Sequence, residues 1–217
     1  MRVLVFDTET TGLPTDRKAS IYDTIKWPFI LQLSYIIYDT EKNAIIRYVD
    51  CLINIPDEVV ITEGSTRIHG ITREMSRQKG IPIMDALQDF DCWVKSSQLI
   101  VGHNISFDKR MIIVEHIRHK IKSGFGAEIK VPQYCTMRNG ANICNIMVQK
   151  PNQKPYVKFP KLGELYTKLF NEEAHGAHNA FADVLICLRC YCMMTHQTDI
   201  KNVCTGIRQL FRYYCRT

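Results

Sequence analysis

The sequence lacks any apolar run long enough to cross a membrane as a helix. Such a helix needs about 20 consecutive apolar residues, and no run in the 217 residues reaches that length. The first apolar run, residues 3–6, is interrupted by Asp7, so we do not expect a secretory signal peptide. We therefore expect an intracellular protein, cytoplasmic or nuclear, that does not interact with a membrane.

Acidic residues are the scarcer of the two charged classes. There are 22 aspartates and glutamates against 28 lysines and arginines, which gives a formal net charge of +6. This balance favours polyanionic partners such as nucleic acid, although many basic proteins bind none. With 46% hydrophobic and 23% charged residues, the composition is typical of one globular domain of ordinary size.

The spacing that defines a zinc finger is also missing. The nine cysteines are odd in number, and most lie within apolar segments. Cys187, Cys190 and Cys192 are close together, but no second Cys or His pair lies at zinc-finger distance from them. We expect free thiols in a reducing compartment, not disulfides or a structural zinc site.

The first predicted strand ends in two carboxylates. Residues 3–6 form a continuous hydrophobic run, which is typical of a strand buried on both faces. Asp7 and Glu9 then point to the same side of an extended backbone, with Cα atoms roughly 6.6 Å apart. Carboxylates this close repel each other unless a divalent cation lies between them, and oxygen ligands suit Mg²⁺ or Mn²⁺. Alternatively, the pair is a strand end with two solvated acids.

A third carboxylate, Asp108, follows another predicted strand. The short apolar run at residues 99–102 is expected to be a buried strand, and a helix is expected to continue to about residue 122. Asp108 then lies near the N-terminus of that helix, a position that borders the ligand crevice in open α/β sheets. The alternative explanation is structural, because a carboxylate there also interacts favourably with the helix dipole.

A histidine and a fourth carboxylate lie five residues apart, at His178 and Asp183. On one continuous helix they would be about 140° apart and could not share a face. Asn179 is a good N-cap, so we place His178 in the preceding loop and Asp183 in the first turns of a helix that continues through residues 184–194. Asp183 is then held in place, whereas His178 can move.

The remaining segments predict a mixture of strands and helices. Two strands at residues 29–39 and 44–53 are joined by a short segment, which predicts an antiparallel hairpin. Thr72 is expected to cap a short helix, and His69 is expected in a loop before Gly70. The other predicted elements are an amphipathic helix at 82–95, a short strand at 131–137, and helices at 138–147 and 162–170.

Two basic segments allow more than one interpretation. The connector at residues 150–161 contains three prolines, four lysines and two aromatic residues. It is either an ordinary solvated loop or a contact for single-stranded nucleic acid, with charges for the backbone and rings for the bases. The tail at residues 195–217 is expected to be a basic amphipathic helix that covers the core, with nucleic-acid binding as the alternative.

Four motifs together resemble one family of nucleases. They are FDTETTGLP at residues 6–14, IHGIT at 68–72, HNISFD at 103–108 and HNAFAD at 178–183. In this order they resemble the DEDDh, or DnaQ-like, 3′–5′ exonucleases of the ribonuclease H-like superfamily, over residues 1–194. The resemblance implies an α/β fold with a mixed five-stranded sheet and helices on both faces. We expect an exonuclease domain at residues 1–195, with a basic helical extension at 196–217 packed on it.

The resemblance also implies a catalytic site with two Mg²⁺ or Mn²⁺ ions. Asp7 would bridge both ions, with Glu9 and Asp183 completing the site of the ion that activates water. Asp108 would hold the second ion, directly or through water. His178 would be the general base, a role that suits imidazole because its unperturbed pKa of about 6.5 lies near working pH. The products would be nucleoside 5′-monophosphates.

The resemblance also implies that residues beside the carboxylates contact the terminal nucleotide. Thr10 and Leu13 match positions that contact this nucleotide through the backbone and by wedging against a base. His69 and Phe107 match positions that line the same pocket. Two further residues are expected to support the loop before the third carboxylate: His103 and Asn104.

The leading hypothesis is a metal-dependent 3′–5′ exonuclease acting on DNA, with single-stranded ends preferred. The same chemistry on RNA is the nearest alternative, because the motifs do not determine how the 2′ position of the sugar is met. A third hypothesis is a non-catalytic module that binds nucleic acid or a polymerase, and the intact pair of Asp7 and Glu9 argues against it. The expected partners are nucleic-acid 3′ ends, with a polymerase or replication complex as a further candidate.

Overall fold

The computed structural model describes residues 1–16, 18–122, 124–126, 130–151, 154–176 and 179–215. At its centre is a mixed five-stranded sheet with the order β3-β2-β1-β4-β5. The strands are β1 (Arg2–Thr10), β2 (Ile30–Asp39), β3 (Ala44–Leu52), β4 (Leu99–Gly102) and β5 (Gln133–Cys135). β1, β2 and β3 are antiparallel neighbours, whereas β4 runs parallel to β1 and to β5. The predicted sheet is confirmed, and its hairpin lies within one residue of the predicted bounds.

Helices cover both faces of the sheet, as predicted. Alternate residues of β1 point to opposite faces. Val3 and Val5 are buried in the same core cluster as α7 (Ala180–His196), whereas Leu4 and Phe6 belong to the cluster of α3 (Ile83–Ser96) and α4 (Ile105–Arg118). The remaining helices on the two faces include α1 (Glu63–His69), α2 (Arg73–Lys79), α5 (Thr136–Cys144), α6 (Leu162–Phe170) and a short 3-10 helix, Thr24–Lys26.

Two helices end earlier than the sequence predicted, each because of the local backbone. α4 ends at Arg118 and not near residue 122, because Lys120 takes a positive φ of 57° that a continuing α-helix does not allow. α5 begins at Thr136, so the strand predicted at 131–137 is shorter. Asn145, with φ of 46°, ends α5 before the predicted end at residue 147.

The segment between β3 and α3 is more helical than predicted. His69 is the last residue of α1 and not part of a loop. Gly70 ends that helix in the left-handed conformation, with φ of 72°, which glycine adopts without strain. Thr72 caps α2 as predicted, and its side chain accepts a hydrogen bond from the Met75 amide at 3.2 Å.

The two basic segments also contain elements that the sequence pattern did not reveal. β6 (Met147–Val148), just before the connector, and β7 (Tyr156–Val157), within it, form a separate antiparallel hairpin. The tail is not one helix, because α7 continues to His196 and ends at a left-handed Gln197. It is followed by α8 (Ile200–Val203) and α9 (Thr205–Tyr214), and α9 buries Ile207 and Phe211 in the core beside α7.

The nine cysteines are free thiols. Cys187, Cys190 and Cys192 are buried within α7, and among the described residues the metal-ligating groups of three contain no cysteine. In the described part of the chain, no helix is both long enough and apolar enough to cross a membrane.

Candidate active site

The carboxyl end of β1 presents Asp7 and Glu9 on one face of the sheet. Thr8 and Thr10, which alternate with them, are buried, whereas both acids are half-buried. α7 packs on the same face and carries Asp183 in its first turn. One carboxylate oxygen from each of Asp7, Glu9 and Asp183 lies within 4.8 Å of the other two. We call these three residues the acidic cluster.

Burial and mutual repulsion favour the protonated form of the acidic cluster. The pKa of Asp7 is raised well above its usual range, first by burial and then by the charges of Asp108, Asp183 and Glu9. Burial, followed by the charges of Asp183 and Asp108, raises the pKa of Glu9 to about 8. A bound cation would reverse this preference, because it stabilises the ionised carboxylates. Three carboxylates form an all-oxygen donor set, which fits a hard divalent cation such as Mg²⁺ or Mn²⁺.

Asp108 reaches this region from the opposite face of the sheet. It is buried in the first turn of α4, and its Oδ1 accepts hydrogen bonds from the Thr8 amide at 3.1 Å and the Thr8 hydroxyl at 2.8 Å. Burial raises the pKa of Asp108 to about 7, although the bonds from Thr8 lower it. Among the described residues, the group that could hold one ion is the acidic cluster, which does not include Asp108. Asp108 is coupled to that cluster by charge.

The first turn of α7 is capped as the sequence predicted. Oδ1 of Asn179 accepts hydrogen bonds from the amides of Phe181 and Ala182, at 3.1 and 3.2 Å. The amide of Asp183 donates to the Asn179 carbonyl oxygen at 3.0 Å, which places Asp183 within the first helical turn. The cap therefore orients the helix start that supplies one member of the acidic cluster.

A buried polar network joins the start of α7 to the sheet. The Ala180 amide donates to Oε1 of Gln32, a buried residue of β2, at 3.3 Å. Nε2 of Gln32 donates in turn to Oδ1 of Asp50 at 2.7 Å, and the Ser34 hydroxyl donates to the same oxygen at 2.7 Å. Gln32 lies opposite Glu9 in the β1–β2 register. The network therefore links the strand and helix that carry the acidic cluster.

His178, the predicted general base, lies outside the described residues, so its position relative to the acidic cluster is not described. The nearby His175 is exposed. Gly176, with φ of 77°, lies against the end of α9, where a Cβ would come within 2.5 Å of the Tyr214 carbonyl oxygen. The C-terminal helix therefore packs against the segment that leads to His178.

His69 contacts Thr10, the last residue of β1. The Thr10 hydroxyl donates to the Gly12 carbonyl oxygen at 2.7 Å. The Ile71 amide donates to Nδ1 of His69 at 3.0 Å, so Nε2 carries the proton and donates to the Thr10 carbonyl oxygen at 3.2 Å. Burial lowers the pKa of His69, which favours this neutral form. His69 thus supports the Thr10 segment, and its contact with a nucleotide stays a prediction.

Leu13 and Phe107 differ in their exposure to solvent. Leu13 is 78% exposed, as expected for a side chain that wedges against a planar group. Phe107 is half-buried in α4 and packs against the core on that face. Their contacts with the terminal nucleotide remain predictions.

His103 connects the end of β4 to two other segments. Its Nδ1 lies 3.0 Å from the buried Thr136 hydroxyl, and its Nε2 donates to the Pro160 carbonyl oxygen at 3.1 Å. Burial lowers the pKa of His103 to about 4, although the bond to Pro160 raises it. Asn104 follows in the left-handed conformation, with φ of 62°, as the N-cap residue of α4. These contacts are consistent with the predicted support of the loop before Asp108.

Sequence reasoning missed two residues that the structure places at the site. Thr8, between the two acids, was not predicted as a site residue, yet it binds Asp108. Gln32, in the predicted strand at residues 29–39, was not predicted as one either, yet it binds the start of α7. A glutamine within a run of buried apolar residues was the signal for the second, because a buried amide requires hydrogen-bond partners.

A family model described as RNase_T exonuclease matches residues 4–191. The chain belongs to the RNase_T exonuclease family. The matched range includes the four carboxylates on β1, α4 and α7. No curated protein matches the chain significantly.

The fold of this exonuclease-family chain is similar to that of exonuclease I. For *E. coli* exonuclease I in complex with a dT13 oligonucleotide, the TM-score is 0.65 at 18% identity, over 93% of this chain and 42% of that chain. For the same enzyme with a dA16 oligonucleotide, the values are 0.63 and 19%, over 97% and 43%. Exonuclease I from *Methylocaldum szegediense* gives 0.63 and 16%, over 93% and 42%. This chain therefore spans less than half the length of exonuclease I, and the likeness shows a shared fold.

Proposed function

We propose that this protein is a metal-dependent 3′–5′ exonuclease of the DEDDh type. It hydrolyses phosphodiester bonds from the 3′ end of DNA, prefers single-stranded ends and releases nucleoside 5′-monophosphates. One observation carries the proposal: Asp7, Glu9 and Asp183, from two distant parts of the chain, place carboxylate oxygens within 4.8 Å of one another. Three acids at this distance are unfavourable for folding alone, which argues for a cation as part of the working site.

The chain's own residues have distinct roles in this proposal. Asp7, Glu9 and Asp183 would hold one divalent cation, and Asp108, with Asp7, would help to hold a second. When bound, such a pair of ions offsets the negative charge and stabilises the attacking and leaving oxygens. Thr8 orients Asp108 through the two bonds to Oδ1. His178 accepts the proton of the attacking water at a ring nitrogen.

The terminal nucleotide is proposed to lie against the loop after β1. Leu13 wedges against its base, and the backbone at Thr10, braced by His69, contacts the sugar and phosphate. Phe107 lines the other side of the same pocket. The exposure of Leu13 supports this arrangement, because an isolated apolar side chain beside a polar site provides a surface for stacking.

DNA is proposed as the substrate because similar folds are known with it: *E. coli* exonuclease I is described in complex with dT13 and dA16 oligonucleotides. The net charge of +6 supports a polyanionic substrate.

We also propose that residues 1–195 form the exonuclease domain, with 196–217 packed on it. The burial of Ile207 and Phe211 supports this arrangement.

The test is a degradation time course on matched 5′-labelled DNA and RNA oligomers. We expect stepwise shortening from the 3′ end, with DNA cleaved faster, only when Mg²⁺ or Mn²⁺ is present and not with chelator. Asp7→Asn is the matched control, because it removes one charge with little change in volume. It should lower the rate at least about 10³-fold while the fold, measured by circular dichroism, is retained. Faster RNA cleavage would replace DNA with RNA as substrate, and equal cleavage by Asp7→Asn would refute the proposed site.

A further inference from the structure

A surface that is hydrogen-bonded to the segment after β4 exposes aromatic and cationic side chains together. We call residues 147–151 and 154–161 the hairpin surface, since they contain β6 and β7 and the residues that adjoin them. Tyr156 is 40% exposed and Phe159 is 57% exposed. Lys150 places its ammonium group 5.9 Å from the centre of the Tyr156 ring. Large apolar side chains grouped on an exposed surface are typical of a binding site.

The lysines of the hairpin surface are not equivalent. Nζ of Lys158 lies 2.6 Å from Oε1 of Glu164, and this pair lowers the pKa of Glu164. The charge of Lys158 is therefore already compensated. Lys150 and Lys154 are exposed and form no ion pair with the described residues, so their charges are available to an anionic partner.

The hairpin surface is attached at the same end of the sheet as the acidic cluster. The Pro160 carbonyl oxygen accepts a hydrogen bond from His103, which directly follows β4. β4 runs parallel to β1 with Val101 opposite Val5, so His103, two residues further along, lies level with Asp7 of the neighbouring strand. A strand of nucleic acid whose 3′ end lies at the acidic cluster can therefore continue over the hairpin surface.

We propose that the hairpin surface binds the single strand behind its 3′ end, with Tyr156 and Phe159 stacked on bases and Lys150 and Lys154 on phosphates. This inference rests on the proposed function, and it adds a site outside the catalytic residues. The occupant is single-stranded nucleic acid, because rings for bases and uncompensated lysines for phosphates are the combination that such strands require. In a duplex the bases are paired and stacked on one another, so Tyr156 and Phe159 could not stack on them.

The first test measures binding without cleavage. Fluorescence anisotropy in chelator, at several KCl concentrations, would follow labelled oligothymidylate and oligouridylate of about 20 nucleotides. Replacing both Lys150 and Lys154 with Met should reduce the slope of log K against log salt by about 1.4, from about 0.7 for each phosphate contact on a single strand. Lys158→Met is the matched control and should leave the slope unchanged, because Glu164 already compensates its charge. An equal change with the control, or an unchanged slope with the double variant, would overturn the proposal.

The aromatic residues are tested in the same assay. Replacing Tyr156 and Phe159 with Ala should weaken binding roughly 10-fold or more for each ring that stacks, with the salt slope unchanged. Binding equal to that of the wild type would overturn the stacking role.

A second substrate separates this inference from the proposed function. A p-nitrophenyl ester of thymidine 5′-monophosphate has one nucleotide and one phosphodiester, so it tests the catalytic site without the strand that the hairpin surface is proposed to bind. The hairpin variants should hydrolyse it as fast as the wild type with Mn²⁺. Normal ester hydrolysis with unchanged oligomer binding would refute the hairpin surface alone. If the wild type does not hydrolyse the ester, but the variants change the salt slopes of oligomer binding as expected, the catalytic proposal alone is refuted.

Discussion

Both hydrogen-bond donors of Thr8 bind the same oxygen of Asp108. The amide lies 3.1 Å and the hydroxyl 2.8 Å from Oδ1, and the two residues are 100 positions apart in the sequence. Any residue except proline at position 8 would offer the amide, but the hydroxyl requires Thr or Ser. The contact holds a buried carboxylate in a defined orientation, on the face of the sheet opposite the acidic cluster.

Thr8→Val removes this hydroxyl and keeps the shape of the side chain. A hydrogen bond to a charged group contributes about 1.5–3 kcal/mol, so we expect kcat/KM at neutral pH to fall roughly 10- to 100-fold. The pKa of Asp108, about 7 with both bonds, should rise because its ionised form loses a donor. The pH profile of kcat/KM should move to higher pH accordingly. Thr8→Ser, which retains the hydroxyl, should resemble the wild type, and a Thr8→Val profile superimposable on the wild type would contradict the role.

The raised pKa values of Glu9 and Asp108, about 8 and about 7, predict how the stability of the metal-free protein depends on pH. Unfolded carboxyl groups titrate near pH 4, so between about pH 4 and pH 8 these two groups bind more protons in the folded state than in the unfolded state. His69 and His103, whose pKa values are lowered, act in the opposite sense below about pH 6.5. Stability in chelator should therefore fall as the pH rises from about 6.5 to 8, where the histidines are neutral in both states. Thermal unfolding followed by fluorimetry measures this fall.

The same shifts predict that the metal stabilises the protein more at higher pH. At pH 6 a cation must displace protons from the acidic cluster, whereas at pH 8 fewer protons remain to be displaced. The rise in Tm on adding Mg²⁺ or Mn²⁺ should be larger at pH 8 than at pH 6. An ion at a hundred times its Kd stabilises the folded state by about 2.7 kcal/mol. Glu9→Gln should flatten the slope in chelator. A metal effect of equal size at both pH values would refute this account.

The sequence was sufficient to predict the elements that carry the site, because their signals are local. The apolar run before Asp7 predicts a buried strand, and Asn179 before an apolar helix predicts the cap that positions Asp183. The five-stranded sheet followed from the family resemblance. Local patterns also placed the ends of β2 and β3 within one residue.

The arrangement of the carboxylates around the strand end is a tertiary property and could not be predicted in the same way. The sequence places Asp108 at a helix start but does not determine on which face of β1 that helix packs. α4 packs on the face of Thr8, so Asp108 approaches from the side opposite Asp7. The connector hairpin was missed for a related reason, since strands as short as β6 and β7 give no usable periodicity.

Gln32 is expected to act as a positioning residue for the start of α7. Gln32→Met removes the acceptor of the Ala180 amide and the donor to Asp50 at similar volume. Loss of one buried hydrogen bond of about 1 kcal/mol should weaken Mn²⁺ affinity roughly 5-fold, because Asp183 is held less firmly. Isothermal titration calorimetry with Mn²⁺ measures this change directly.

The matched control for Gln32 is Ser34→Ala. It removes the other donor to Asp50 but leaves the contact with Ala180 intact. Gln32→Met should lose more thermal stability in chelator than Ser34→Ala, because it removes two hydrogen bonds and not one. A purely structural role for Gln32 would lower Mn²⁺ affinity in both variants, in proportion to the stability that each loses, whereas the positioning role lowers it only in Gln32→Met.

His178 is predicted to be the general base, and His175 provides a matched control three residues earlier in the same segment. A general base typically contributes about 10²- to 10⁴-fold, so His178→Asn should lower kcat by an amount in that range. Its affinity for Mn²⁺ should be close to that of the wild type, because the acidic cluster consists of other residues. His175→Asn, at an exposed position, should keep wild-type kcat. If His175→Asn were the inactive variant, the base would be His175; if His178→Asn lost metal binding along with activity, His178 would act as a ligand.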